Sequence, residues 1–147
     1  MIAVVFDRHG GPDVMELREM PDPEPGPGQV RVRVAGCGVN HLDLRVREGM
    51  PGVALLPHIV GSEVSGTIDR ARPRCVEARG GAKRPRDPGA RLRDVLGTRS
   101  DLDAVVRLIS QGRLTPVVDR VYTLADFQEA HRRMADRDLF GKLILTP

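Results

Sequence analysis

Residues 70 to 91, RARPRCVEARGGAKRPRDPGAR, hold neither a helical nor a strand period, and any fold open to this chain of 147 residues must be built around them. Arg, Pro, Gly and Ala dominate the stretch, which predicts an irregular connection without a core of its own. Patterned sequence lies only on its two sides. The same region carries the basic surplus. Residues 69 to 94 contain nine Lys/Arg against four Asp/Glu, although the whole chain carries only +3. A basic run attracts nucleic acid by counterion release. This one has no interleaved aromatics to stack bases and no recognition motif, so no nucleic-acid partner is expected and a solvated loop is.

Before the break, residues 2 to 6 (IAVVF) are a β-branched run that predicts a strand, ended by Gly10, Gly11 and Pro12. Residues 14 to 19 alternate as a half-buried strand does. The proline-rich loop PDPEPGPGQ (21 to 29) excludes helix and ladder alike. Residues 30 to 35 alternate strictly, with Val30, Val32 and Val34 expected inward and Arg31 and Arg33 outward. Asn40 to Glu48 reads as a short helix capped by Asn40, with Asp43 three positions on as the reciprocal capping partner. Leu42, Leu44 and Val46 are expected inside, Arg45 and Arg47 on a solvated face, and Gly49 and Pro51 at the stop. Residues 59 to 68 read as a strand whose Gly61 and Gly66 imply a bulge or a close backbone approach.

After the break, order is expected from Gly97. Ser100 is placed as a helix cap, with Leu102, Val105, Val106 and Ile109 on one face and Gly112 at the end. Residues 117 to 122 predict a strand and Thr123, with Asp126, the cap of a second helix whose stripe is Phe127, Ala130, His131 and Met134. Residues 142 to 146 (KLILT) predict a final strand. Aromatic residues make up only 3% of the chain, so its core must be aliphatic, with Phe6, Phe127 and Phe140 as the large pieces. No apolar run reaches the roughly 18 residues a membrane-spanning helix needs, and the opening MIAVVFDRHG lacks the layout of an export signal. A cytoplasmic chain without a membrane partner is expected, with Cys37 and Cys75 as free thiols and Cys37 buried.

Three motifs occur in order: PEPGPGQVRVRV, then GVNHLD, then LPHIVGSEVSG. With the ending GRLTPVVDRVYTLADFQEAHRRM and FGKLILTP, they resemble the catalytic domain of the medium-chain dehydrogenase/reductases. The GVN pattern is similar to the zinc-independent quinone oxidoreductase branch. The resemblance covers residues 1 to 68 and 97 to 147. It implies an α+β fold, namely a partial GroES-like β-barrel with two C-terminal helices and a final strand. It also implies three parts: residues 1–69 as the first half of the catalytic domain, 70–96 as a basic linker in place of a cofactor domain, and 97–147 as the segment that completes the catalytic domain. If strands are missing from the barrel, open sheet edges and an exposed apolar face are expected, through which copies of the chain would associate.

The departures from that family bear on function. In the alcohol dehydrogenase branch a Cys stands where this chain has Asn40 and a His where it has Ser62, and neither replacement is a usual zinc ligand. Cys37, His41, His58 and Glu63 lack the order of that site, so no metal is expected. NAD(P)H chemistry needs a nucleotide fold with a G-x-G-x-x-G turn. Gly36-Cys37-Gly38 meets His41 at the last glycine position, and Gly26-Pro27-Gly28 meets Arg31. One strand–helix–strand unit takes ~30 residues and a nucleotide fold takes several, whereas 28 residues separate Ile68 from Gly97. No cofactor is therefore expected on this chain alone, and NADPH or NADH is implied by the family only.

By the resemblance, Asn40 lies in the substrate cleft, where it serves equally as a helix cap. Asp43 lies behind it, and Glu63 matches the glutamate of a GxE pattern, where a buried structural carboxylate is the plainer reading. Asn40, Asp43 and Glu63 are the expected catalytic residues. His41 is expected to be exposed and idle, and His131 a packing histidine. Lys142 falls near the cleft but has no assigned role. The implied activity is reduction of a quinone or carbonyl compound by a substrate-side domain that is inactive alone. Two other readings remain: a non-catalytic module that binds a small molecule or a protein, and a half-enzyme completed by another chain that brings the cofactor site.

Overall fold

The computed structural model describes residues 1–51, 55–72 and 99–147. Most of the basic linker, Cys75 and Gly97 lie outside the described residues. Contacts divide the chain into two compact units, Met1–Arg74 with Val117–Pro147, and Cys75–Pro116. The fold is α+β, as expected, with seven strands and three helices among the described residues.

The first unit holds two sheets. In one, β1 (Ile2–Phe6) lies between β2 (Glu16–Glu19) and β4 (His58–Ile59), antiparallel to both. In the other the order is β5 (Glu63–Arg72), β3 (Gln29–Val39), β7 (Lys142–Thr146), β6 (Val118–Thr123). Here β3 is antiparallel to both neighbours, and β6 runs parallel to β7. The span expected as one strand over 59–68 is split at Gly61, whose φ of 110° is open to glycine at little cost. Each half then serves a different sheet. The close approach expected at Gly66 is present: a Cβ there would stand 2.1 Å from the Arg33 carbonyl oxygen.

The core is aliphatic, as the composition required. Val4, Phe6, Met15, Val39, Leu143 and Leu145 pack with Leu44 and Val46 of α1 (His41–Glu48) and with Phe127, Ala130 and Met134 of α3 (Phe127–Asp136). Leu143 and Leu145 are buried at alternate positions of β7, the period-two pattern of a strand with one inward face. The α3 stripe is buried as expected. In the second unit, α2 (Arg99–Ser110) ends at Gly112, and Leu102, Val105, Val106 and Ile109 are exposed.

Several expectations are corrected. Val30 is exposed and Arg31 is largely shielded by Asp69 at 2.9 Å, because register shifts at Arg31/Val32 and Val34/Gly36 break the alternation of β3. Leu42 is exposed, since α1 turns Asp43, Leu44, Val46 and Arg47 inward. Phe140 is 82% exposed, and Leu139 packs against the core in its place. Ser100 lies inside α2. Thr123 opens a 3-10 turn (Leu124–Asp126), its hydroxyl 2.7 Å from Asp126, and α3 begins only after that turn.

The largest correction is Arg47, which is 2% exposed where a solvated face was expected. Its Nε donates to the Gly10 carbonyl (3.0 Å), Nη1 meets Nδ1 of His131 (3.3 Å) and Nη2 reaches Glu48 (3.0 Å). A buried guanidinium persists only when its donors are used, and here they pin the loop after β1 to α1 and α3. His131 is 1% exposed. Burial, then the Arg47 charge, pushes its pKa from 6.5 down to about 4.

The unfolded chain takes up a proton on His131 below its ordinary value, while the folded chain resists until about pH 4. Its contribution is therefore present above pH 6.5 and is lost as the pH falls between those limits. Urea denaturation is expected to show a loss of about 3 kcal/mol over that interval, less other titrating groups. In His131→Gln that portion of the pH dependence is expected to vanish.

Candidate functional site

Asn40 stands at the junction of β3 and α1 with extended backbone (φ −126°, ψ 155°). The sheet register brings two charged residues to it from either side. Glu63, at the start of β5, pairs with Gly38, and Lys142, at the start of β7, lies one step beyond the Val39–Leu143 pair. Gly38 leaves the space between them empty. A Cβ at that position would stand 2.6 Å from Lys142 Cε and 2.8 Å from Glu63 Oε2.

Three side chains close over this gap. Lys142 Nζ donates to Asn40 Oδ1 (2.6 Å) and lies 2.6 Å from Glu63 Oε2. Asn40 Nδ2 donates to the same Glu63 oxygen (3.0 Å). Both ends of the Asn40 amide are thus used, and its orientation follows from its partners: oxygen toward the ammonium, nitrogen toward the carboxylate. Lys142, then Asn40, holds the Glu63 carboxyl below the usual range. Glu63 is exposed, its side chain at 60%, which corrects the expectation of a buried structural carboxylate. An ion pair this open contributes at most about 1 kcal/mol to stability.

Asp43 plays a different part. It is buried, and its Oδ2 accepts the Asn40 backbone N–H (2.8 Å), the capping contact that the spacing predicted. Its Oδ1 accepts from the Ser62 hydroxyl (3.3 Å). Burial pushes its carboxyl up, against these bonds. Asp43 therefore fixes the backbone that carries Asn40, and Asn40 with Glu63 faces the open side. Lys142 and Gly38 complete the arrangement without having been assigned to it from the sequence. One signal was available for Lys142: in KLILT the buried positions are Leu143 and Leu145, which puts Lys142 and Ile144 on the other face.

The remaining candidates stand apart. His41 is exposed. His58 stacks against Phe6 with ring centroids 5.2 Å apart, and burial lowers its pKa. Cys37 is half-buried and its thiol is pushed up by burial, then by Asp43, which is the reverse of an activated nucleophile.

A family model described as zinc-binding dehydrogenase matches residues 53–145. Among solved structures, an NAD-dependent alcohol dehydrogenase superposes with a TM-score of 0.80 at 18% identity, over 100% of both chains. The human synaptic vesicle membrane protein VAT-1 homolog-like protein gives 0.77 at 17% identity, over 99% of this chain and 98% of that one. These likenesses bear on the fold, which is that of the GroES-like domain. A mycobacterial quinone oxidoreductase is 32% identical over 56% of this chain, which spans 25% of its length, with a TM-score of 0.48. No curated protein matches.

The residues present do not fit a zinc ion: among the described residues no three His, Cys, Asp or Glu side chains are grouped as metal ligands. The glycine pairs do not fit a dinucleotide either. Gly36 and Gly38 lie within β3, Gly36 paired with Ser65 of β5 and Gly38 paired with Glu63 of β5 and Ile144 of β7. Beside the other pair, Gly26 N–H is taken by the Gln29 side chain and Gly28 N–H by the Arg72 carbonyl. Neither pair offers the free amides of a strand-to-helix turn that a pyrophosphate needs.

Substitution of Gly38 by Ala is expected to leave the fold intact, because both crowded atoms are ends of flexible side chains, and to push Lys142 and Glu63 apart. The Glu63 carboxyl, followed by NMR titration, is expected to move up toward its ordinary value. An unchanged titration would show that the cluster does not depend on the gap.

Proposed function

We propose, for a chain that belongs to the zinc-binding dehydrogenase family of the medium-chain dehydrogenase/reductases, that it is the substrate-side part of an oxidoreductase acting on quinones or activated carbonyl compounds and is inactive alone. The observation that carries this reading is the Asn40–Glu63–Lys142 cluster. Its ion pair is too exposed to be explained by stability, and its amide is held in one orientation by two charged partners. Such fixed dipoles are what a site needs to orient a carbonyl oxygen without reorganising. In this reading Asn40 faces the substrate, Glu63 holds Asn40 and Lys142 in place, and Asp43 positions the Asn40 backbone.

The source of hydride is a nicotinamide, NADPH or NADH, carried elsewhere. The 28 residues between Ile68 and Gly97 are too few for a nucleotide fold. In this reading residues 70–96 are a linker, and of the segment 97–147 the part from Val117 on joins the unit begun by 1–69. A second reading, a non-catalytic module, is supported by the exposed Val64 and Ile68 on β5, an edge strand among the described residues.

Calorimetric titration of this chain with NADPH is expected to give no saturable binding at micromolar concentrations, and a micromolar site would overturn the substrate-side reading. The two readings part on Asn40→Ala. Binding of duroquinone, followed by ligand-detected NMR, is expected to weaken in this variant, whereas a module that binds through β5 would be indifferent to it.

A further inference from the structure

Lys142 has three N–H donors, and two are taken, by Asn40 Oδ1 and Glu63 Oε2. Its side chain keeps 33% of its surface in solvent, and the third donor has no partner among the contacts of the cluster. The carboxylate and the amide hold the ammonium, and Gly38 beside it leaves room for this placement. A tethered donor with one open position is built to receive an acceptor oxygen.

The charges around it decide which acceptor. Glu63 matches the Lys142 charge, and Lys142, then Asn40, lowers the pKa of that carboxyl. Asp43, behind Asn40, adds a second carboxyl, and among the described residues Lys142 is the cation that acts on both carboxyls. At the open donor the local charge therefore sums to zero or below. A neutral carbonyl oxygen can accept there and be polarised. A carboxylate or phosphate would meet Glu63 at close range and lose what it gains from Lys142.

We propose that Lys142 is the hydrogen-bond donor to the substrate's carbonyl or quinone oxygen, and that Glu63, by neutralising it, restricts the site to uncharged carbonyl compounds and excludes keto acids. The ammonium thereby serves as the group that draws electrons toward the carbonyl oxygen. This inference rests on the substrate-side reading and adds to it the donor and the charge class of the substrate.

The test uses the full chain and two probes of one shape, acetophenone and benzoylformate, each labelled with carbon-13 at the ketone. The wild-type chain is expected to bind acetophenone with a downfield shift of its carbonyl signal and to bind benzoylformate about tenfold more weakly or not at all. Lys142→Met is expected to abolish the shift and weaken acetophenone binding about tenfold, while Lys142→Arg retains part of it. Glu63→Gln leaves the Lys142 charge unopposed and is expected to admit benzoylformate, a gain that a merely destabilised protein does not produce. Unfolding midpoints of all variants confirm that the chains compared are folded.

An unchanged carbonyl shift in Lys142→Met, or the same preference between the two probes in Glu63→Gln, overturns the inference. If these fail while duroquinone and acetophenone still bind through Asn40, only the role of Lys142 is lost. If no carbonyl compound binds the wild-type chain, the substrate-side reading falls with it.

Discussion

β3 is paired along both flanks, to β5 on one side and β7 on the other, and near its end it carries a glycine where every other residue would put a Cβ between the two neighbours. Both features of the molecule that matter for function follow from this. Because a strand register repeats every two residues, fixing Gly38 opposite Glu63 also fixes which face Glu63 occupies. The β3–β7 pairing does the same for Lys142. Two residues that lie 79 apart in sequence are thereby delivered to the same few ångströms, with Asn40 at the end of the strand between them.

The chain places like side chains in opposite environments, and magnitudes show why. Arg47 and His131 are buried, and their contact is tolerated because the imidazole is neutral and can accept from the guanidinium. Protonating His131 would set two positive charges side by side with little water, which is why its pKa lies near 4. Lys142 and Glu63 are exposed, and their attraction is screened. The first pair secures the junction of α1, α3 and the loop after β1. The second holds a donor in place at the surface, where holding it does little for stability. The core does not depend on the exposed cluster, since Arg47 and the α3 stripe owe nothing to Lys142.

Much of the architecture was legible in the sequence because it rests on local rules. The β-branched run of β1, the proline-rich loop, the Asn40–Asp43 cap and the α3 stripe each follow from periodicity or backbone preference over a few residues, and each is observed. What escaped was set by neighbours distant along the chain. Arg47 reads as solvated on a helical wheel, and only the arrival of Gly10 and His131 makes its burial affordable. Val30 and Arg31 exchange surroundings because bulges opposite β5 shift the register, which no alternation within 30–35 can disclose. At the site, Asn40 and Asp43 were legible through the cap and the family motif, and Glu63 through its motif. Lys142 was placed near the cleft without a role, since its partners there come from the β3–β7 register.

The choice between an ammonium and a metal as the electron-withdrawing group has a structural corollary. A tetrahedral zinc site asks for three or four converging ligands on rigid backbone, and losing any one of them loses the site. A lysine asks for a single strand position and a tether, and here both come from pairings that the sheet makes in any case. Contacts from Lys142 and Glu63 orient the Asn40 amide, with no set of converging ligands behind it. Every group in the cluster lies in the unit formed by Met1–Arg74 and Val117–Pro147, so the pairings within that one unit suffice to assemble it.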